Sequence, residues 1–427
     1  MSELLCTDNM MIYALLILVF GLLSRVINIG PPNVRQVKLD FTRYVPHMLD
    51  LVKGTYLPST ELQTAKMGPN NTLLTGMPLS ILRQLQNEWT TNFDWEKEQN
   101  SINKYHQFIA KIDGQDVHFV HEKSGDPNAI PIILLHGWPG SFLEMLPLVD
   151  LLVRDSSTIT SKHTSFNVVI PSLPGFALSS PAPDGWTTSD TANIFNKLMT
   201  EVLGYKTYAV HGTDWGCVVG YDLYDRFNKT VRAIHLSFLP FTPLDTEQLA
   251  AANITLSPRE VIQENRYLEW ASTGNAYFSE QATKPNTIGL SLYDNPVGQL
   301  AWIAEKIISW SDPRQGTGPS LITHNEILRH VSLYYLSQSF ISSVYIYYQN
   351  PNGFTTNYTK AKTDAPLLYS DFQYNVLFWP KELVETVGNL VDYTFQEFGG
   401  HFPSLDNPPA LAGDIRKIGK YWHTHSN

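Results

Sequence analysis

Cysteine is scarce in this chain, with only Cys6 and Cys217 among 427 residues. A disulfide framework, a cysteine-rich zinc site and an iron–sulfur cluster each need several thiols at close spacing, so all three are excluded. Charge is also sparse: Asp, Glu, Lys and Arg make up 16% of the residues, and the acidic ones prevail to a net charge of −10. No basic run interleaved with aromatics occurs, so nothing supplies the phosphate neutralisation on which nucleic-acid affinity depends. Nucleic acid is therefore not an expected partner. Internal repeats and low-complexity tracts are missing too, and 43% hydrophobic content lets a chain of this length bury a large core.

One long apolar run is present, Met10 to Leu23 (MMIYALLILVFGLL), and it extends to Ile29 if Arg25 snorkels to the headgroups. Glu3 and Asp8 precede it where a cleaved signal peptide would carry basic residues, and no small-x-small cleavage site follows. Residues 1–29 are therefore expected to form a single-pass membrane anchor, with a buried helix as the alternative reading. Arg25, Arg35 and Lys38 on its C-terminal side place the body in the cytoplasm by the positive-inside rule. Four Asn-x-Ser/Thr sequons, at Asn70, Asn228, Asn253 and Asn357, would matter only for a lumenal body.

Residues 30–104 show no strong period and read as an N-terminal extension wrapping the body. β-rich apolar runs bounded by turn residues then appear at 105–112, 116–121, 130–137, 166–175, 205–212 and 231–238, with helix-length segments such as Phe142–Leu152 and Ala192–Leu203 between the later ones. Strands alternating with helices predict an α/β fold with a mostly parallel, doubly wound sheet. The rhythm breaks over residues 239–364, rich in Trp, Tyr and helix formers, and resumes at 365–371 and 391–401. That pattern predicts an inserted helical lid between the first part of the core (105–238) and the second (365–427).

Open parallel sheets place their sites at the C-terminal ends of the strands. There the sequence reads His211-Gly-Thr-Asp-Trp-Gly216, a sharp strand-to-helix turn flanked by small residues, with Asp214 where a nucleophile would stand. A lone Asp before a helix is by default an N-cap. Two further segments bear on the choice. His136-Gly-Trp-Pro-Gly-Ser141 follows the strand IPIILL, where a Gly-rich turn can point a backbone N–H into the site or be an ordinary Pro-Gly turn. Gly399-Gly400-His401 ends the last strand, in the chain order of nucleophile, acid and histidine.

From about Trp89 onward these segments, together with "NFDWEKEQNSINKYHQFIAKIDGQDVHFVH" and "TKPNTIGLSLYDNPVGQLAWIAEKIISW", resemble the microsomal-type epoxide hydrolases, including the insect juvenile hormone epoxide hydrolases. The resemblance implies an α/β-hydrolase fold and no cofactor, with a lipophilic epoxide and water as the two substrates. It also implies a site in the endoplasmic reticulum membrane. Asp214 would attack an epoxide carbon to give an ester, and His401 would activate the water that hydrolyses it. The resemblance assigns Tyr277 (in GNAYFSEQATKPNTIG) and Tyr347 (in ISSVYIYYQN) as donors to the developing alkoxide; a shifted register would exchange Tyr347 with Tyr345 or Tyr348. It assigns the backbone N–H groups of Trp138 and Trp215 to an oxyanion hole that holds the Asp214 carboxylate and, later, the tetrahedral oxyanion of ester hydrolysis.

One position departs from the family. Where an Asp or Glu supports the histidine, this chain has Asn375, in YSDFQYNVLFWPKEL. Asn orients an imidazole without supplying charge, and the analogous change in a serine-protease triad lowers turnover by about four orders of magnitude. Asp371, or an acid from elsewhere in the fold, is the alternative support. Three expectations follow: an epoxide hydrolase, a homologue slow in ester hydrolysis, and, less favoured, a haloalkane dehalogenase using the same Asp. Oligomeric state is not legible.

Overall fold

The run Ile130-Pro-Ile-Ile-Leu-Leu135 is apolar at nearly every position because it is a central parallel strand with both faces covered, and all but Pro131 are buried. The computed structural model of the protein describes residues 34–61, 63–68, 72–153 and 164–422. The expected anchor at 1–29 and the sequon at Asn70 lie outside the described residues. Among the described residues no helix is long and apolar enough to cross a membrane.

The strands are β1 (Val34–Val37), β2 (Gln107–Ile112), β3 (Gln115–Glu122), β4 (Ile130–Leu135), β5 (Phe166–Pro171), β6 (Tyr208–Gly212), β7 (Val231–Leu236), β8 (Pro366–Tyr374) and β9 (Asn389–Gly400). They form one sheet in the order β1-β2-β3-β5-β4-β6-β7-β8-β9. The pairs β1–β2, β2–β3 and β3–β5 are antiparallel, and every pair from β5–β4 to β8–β9 is parallel. The chain leaves β4 toward β5 on one side and returns to β6 on the other, so β4 and β6 flank the topological switch point. Leu135 and Gly212 are paired at their ends. The loop after β4 and the turn after β6 therefore emerge side by side.

Between β7 and β8 the chain leaves the sheet and forms a run of helices, including Pro258–Glu269, Ala276–Thr283, Pro296–Trp310, His324–Leu336 and Phe340–Gln349. Local chemistry fixes several helix starts: Thr187 with Asp190, and Ser257 with Glu260, form reciprocal capping boxes. The N-terminal extension is tied to this helical insertion. Met48, Val52, Leu85 and Trp89 of its helices are fully buried, and Trp89 Nε1 donates to Ser332 Oγ at 3.0 Å. Burial on that scale is worth about 1.5–3 kcal/mol per large side chain, so the extension is part of the core. It also adds β1 to the sheet edge, a four-residue strand too short to leave a periodic signal in the sequence.

Candidate active site

The turn after β6 is dictated by two close approaches. A Cβ on Gly212 would lie 2.6 Å from the carbonyl oxygen of Gly216, and one on Gly216 would lie 2.2 Å from that of Leu135, so neither position tolerates a side chain. Between them Asp214 is held at φ +47°, a left-handed conformation that costs a non-glycine residue about 1–3 kcal/mol and persists only where the surroundings enforce it. Asp214 does not cap the helix Asp214–Arg226. It is the first helical residue, and the extended Thr213 before it occupies the cap position without a side-chain bond.

The loop after β4 meets this carboxylate. Trp138 N–H donates to Asp214 Oδ1 at 2.8 Å, and Gly137 permits the approach, since a Cβ there would sit 2.0 Å from the same oxygen. Trp138 is thus one of the two expected backbone donors. For the other expected donor, Trp215 N–H, the structure shows no hydrogen bond to the Asp214 carboxylate, so only Trp138 of the expected pair holds it; Trp215 follows Asp214 at the start of the helix. Three groups shape the loop from behind. Burial holds His136 neutral, its pKa lowered to about 4, and its ring bridges Gly137 O and Leu173 N–H. Tyr334 from the helical insertion donates to Gly140 O at 2.7 Å. Glu144, buried with its pKa pushed well up by desolvation and then by the Asp214 charge, packs where a Cβ on Gly140 would lie.

His401 follows β9, and three successive amides fix its approach. Gly399 N–H donates to Asp312 Oδ2 and Gly400 N–H to Asp406 Oδ2, both at 2.8 Å, while His401 N–H donates to Trp310 O at 2.8 Å. Both glycines are required: Gly399 has φ +123°, and a Cβ on Gly400 would meet Trp310 O at 2.6 Å. His401 Nε2 lies 3.4 Å from Asp214 Oδ2 and has no hydrogen-bond partner. Its Nδ1 lies 2.9 Å from Asn375 Oδ1. Asn375 is the residue opposite the histidine, at the position to which the family resemblance points. Asp371 is not: its Oδ1 accepts from Gln263 Nε2 at 2.6 Å, because β8 aims it toward the helix Pro258–Glu269.

The two tyrosines converge from different helices. Tyr277 stacks on Trp138 with ring centroids 5.4 Å apart and an interplanar angle of 11°, and Tyr347 meets Trp215 edge-on at 4.9 Å. The two phenol rings are 6.0 Å apart. Burial raises both hydroxyl pKa values well above the usual phenol range, with Asp214 adding to each, so both stay protonated at neutral pH. Of the three neighbouring tyrosines it is Tyr347 that faces Tyr277, since Tyr348 is 56% exposed and Tyr345 bonds Asn286. Asp214, Trp215, Tyr277, Tyr347 and His401 line one cavity of about 290 Å³, whose remaining wall is largely apolar: Phe238, Tyr267, Trp270, Phe278, Trp310, Phe354 and Leu377 among others.

Epoxide hydrolase 1 of Oryctolagus cuniculus is 30% identical over 366 residues, covering 80% of this chain and 80% of that protein. The chain belongs to the epoxide hydrolase family. The family model described as the epoxide hydrolase N terminus matches residues 42–145, and that of the alpha/beta hydrolase fold matches residues 130–257. Juvenile hormone epoxide hydrolase 2 of Ctenocephalides felis is 29% identical over 371 residues, covering 82% of this chain and 79% of that one. The structure of Aspergillus niger epoxide hydrolase superposes with a TM-score of 0.76 at 28% identity, over 92% of this chain and 97% of that one. The α/β-hydrolase fold with its mostly parallel sheet is therefore as expected. The structure brings Asp214, Trp138, Trp215, Tyr277, Tyr347, Asn375 and His401 together, as the sequence suggests, and adds neighbours that it did not: Asp312 and Asp406 behind the histidine, and His136 and Glu144 behind the Trp138 loop.

Proposed function

We propose that the protein converts lipophilic epoxides, of juvenile hormone or xenobiotic type, into vicinal diols by two half-reactions. In the first, an Asp214 carboxylate oxygen attacks an epoxide carbon, the carbon–oxygen bond of the ring breaks, and its electron pair goes to the ring oxygen. Tyr277 and Tyr347 donate to that oxygen as charge develops on it. In the second, His401 Nε2 takes a proton from water as the water oxygen adds to the ester carbonyl. On collapse the departing diol oxygen takes the imidazolium proton, and the proton of the added hydroxyl passes to the ring-derived alkoxide and its tyrosine donors, which restores the carboxylate and frees the diol. Trp138 N–H and Trp215 N–H are the donors for the tetrahedral oxyanion. The observation that carries this reading is the Asp214 carboxylate between an imidazole nitrogen at 3.4 Å and a backbone N–H at 2.8 Å, with two protonated phenols in the same cavity wall.

Asn375 favours a second reading, a protein that alkylates readily and hydrolyses its ester slowly, because the group at 2.9 Å from His401 Nδ1 is uncharged. We further propose that residues 1–29 anchor the chain in the endoplasmic reticulum membrane with the body cytoplasmic; the support is the apolar run and the basic residues after it.

A single turnover with excess protein and styrene oxide in ¹⁸O-water tests the covalent route. The diol should be unlabelled and Asp214 labelled, since the first diol oxygen comes from the carboxylate. Labelled diol with unlabelled protein would mean direct hydration and would overturn the mechanism. A persistent mass increase on Asp214 with little diol would select the slow homologue.

A further inference from the structure

Lys306 lies on the helix Pro296–Trp310 and is only 6% exposed, an unusual place for an ammonium group. Its Nζ stands 4.4 Å from the Trp302 ring centroid and 5.4 Å from that of Tyr277, within cation–π range of both, and it is ion-paired with Glu305. Tyr277 is a wall between two cavities. Asp214 lines the first, and Lys306, Glu305 and Trp302 line the second. The charged or titratable groups around Tyr277 are thus Asp214 from the elbow, Tyr347 from the helix Phe340–Gln349, and Glu305 and Lys306 from behind.

This arrangement has a direction. Epoxide opening moves one negative charge away from the Asp214 carboxylate, which becomes a neutral ester, and onto an oxygen held by the tyrosine hydroxyls. A cation that is nearer to the tyrosine hydroxyls than to Asp214 gains more from the charge after that movement than before it, and only such differential stabilisation accelerates a step. Lys306 lies against Tyr277, in the cavity that Asp214 does not line. We propose that Lys306 is a positioning residue for the alkylation half-reaction, a fixed counter-charge that acts through Tyr277 and is moderated by Glu305. Ester hydrolysis, which takes place at the Asp214 carbonyl with His401, draws little on it. This inference rests on the covalent two-step reading above.

The test separates the half-reactions by rapid-quench single turnover with styrene oxide, following ester formation and ester decay on Asp214. Wild type must first form the ester; if it does not, the two-step reading fails before Lys306 is tested. Given the ester, Lys306→Met should slow its formation by about tenfold, less than the loss of a direct oxyanion donor because the charge acts through Tyr277, and leave its decay within about twofold. Lys306→Arg should restore most of the rate. Equal slowing of both steps, or no change in formation, would overturn the proposal. Should Lys306→Met fail to fold, Glu305→Gln carries the test alone: removing the moderating carboxylate should speed ester formation without affecting decay, and an unchanged or slower formation rate would count against it.

Discussion

His401 Nδ1 and Asn375 Oδ1 are 2.9 Å apart, and the direction of that hydrogen bond is settled by what else the amide touches. Asn375 Nδ2 donates to Ser237 O at 3.0 Å, and Oδ1 accepts from Val376 N–H at 2.9 Å. Oδ1 is therefore the atom that faces the ring, the proton sits on Nδ1, and Nε2 presents a lone pair toward Asp214. The amide reproduces the orienting role of a triad acid and omits its charge. Asn375→Asp should accelerate decay of the Asp214 ester, by up to about 10⁴-fold if charge is all that is missing. The same change turns a donor to Ser237 O into a second acceptor, which should cost about 1–3 kcal/mol of stability. Ester-decay rates and chemical denaturation of the two proteins, read together, check both parts; faster decay without loss of stability would mean that the Ser237 contact is unimportant.

Tyr277→Phe and Tyr347→Phe remove one hydroxyl each and keep the packing against Trp138 and Trp215. Each should slow ester formation about 10²–10³-fold, the usual loss for a single oxyanion donor, and leave decay of preformed ester unchanged. An epoxide whose alkylation rate survives either substitution would remove that tyrosine from the reaction.

Gly137→Ala places a methyl 2.0 Å from Asp214 Oδ1, at the point where Trp138 N–H holds the carboxylate. Either the loop or the carboxylate must move, and a displacement of about 1 Å can cost about 10²-fold in rate. The expected result is a folded protein, judged by its melting transition, that forms the Asp214 ester at least 10²-fold more slowly. A normal rate would show that the Trp138 contact is dispensable.

How much of this was legible in the sequence follows from the range of each interaction. The β4 and β6 runs and the Gly212–Gly216 turn are local patterns, set by side-chain period and by glycines at fixed offsets, and they located Asp214. His401 was legible through the Gly-Gly pair before it. Tyr277 and Tyr347 came from resemblance alone, because a tyrosine in a helix has no local mark of catalytic use. The supports were not legible: Asp312 reaches Gly399 across 87 positions of sequence, and nothing near Asp312 announces it. Asp371 misled for the same reason, since only the register of β8 shows which neighbouring helix it faces.

Asp371 is nonetheless informative about stability. Burial raises its pKa to about 6, and Gln263 is the hydrogen-bond donor that offsets part of that cost. The unfolded value is about 3.9, so between these two pH values the folded state binds more protons than the unfolded one. The associated stability is fully present below about pH 3.9 and is lost as pH rises through about 6. Asp371→Asn removes the titration, keeps an acceptor for Gln263, and should stabilise the protein by about 1–3 kcal/mol at pH 7.5 relative to wild type. The gain should shrink to nothing near pH 4. Buried His118, His136 and His235, lowered by desolvation to about 3, 4 and 3, pull the other way: their contribution is present above about pH 6.5 and falls with pH in both proteins. The difference between the two urea-denaturation curves therefore isolates Asp371. Because His401 faces Asn375 instead, both half-reactions should run at wild-type rates in this variant. A flat difference curve would remove the buried carboxylate from the pH dependence, and slower ester decay would return Asp371 to the catalytic machinery.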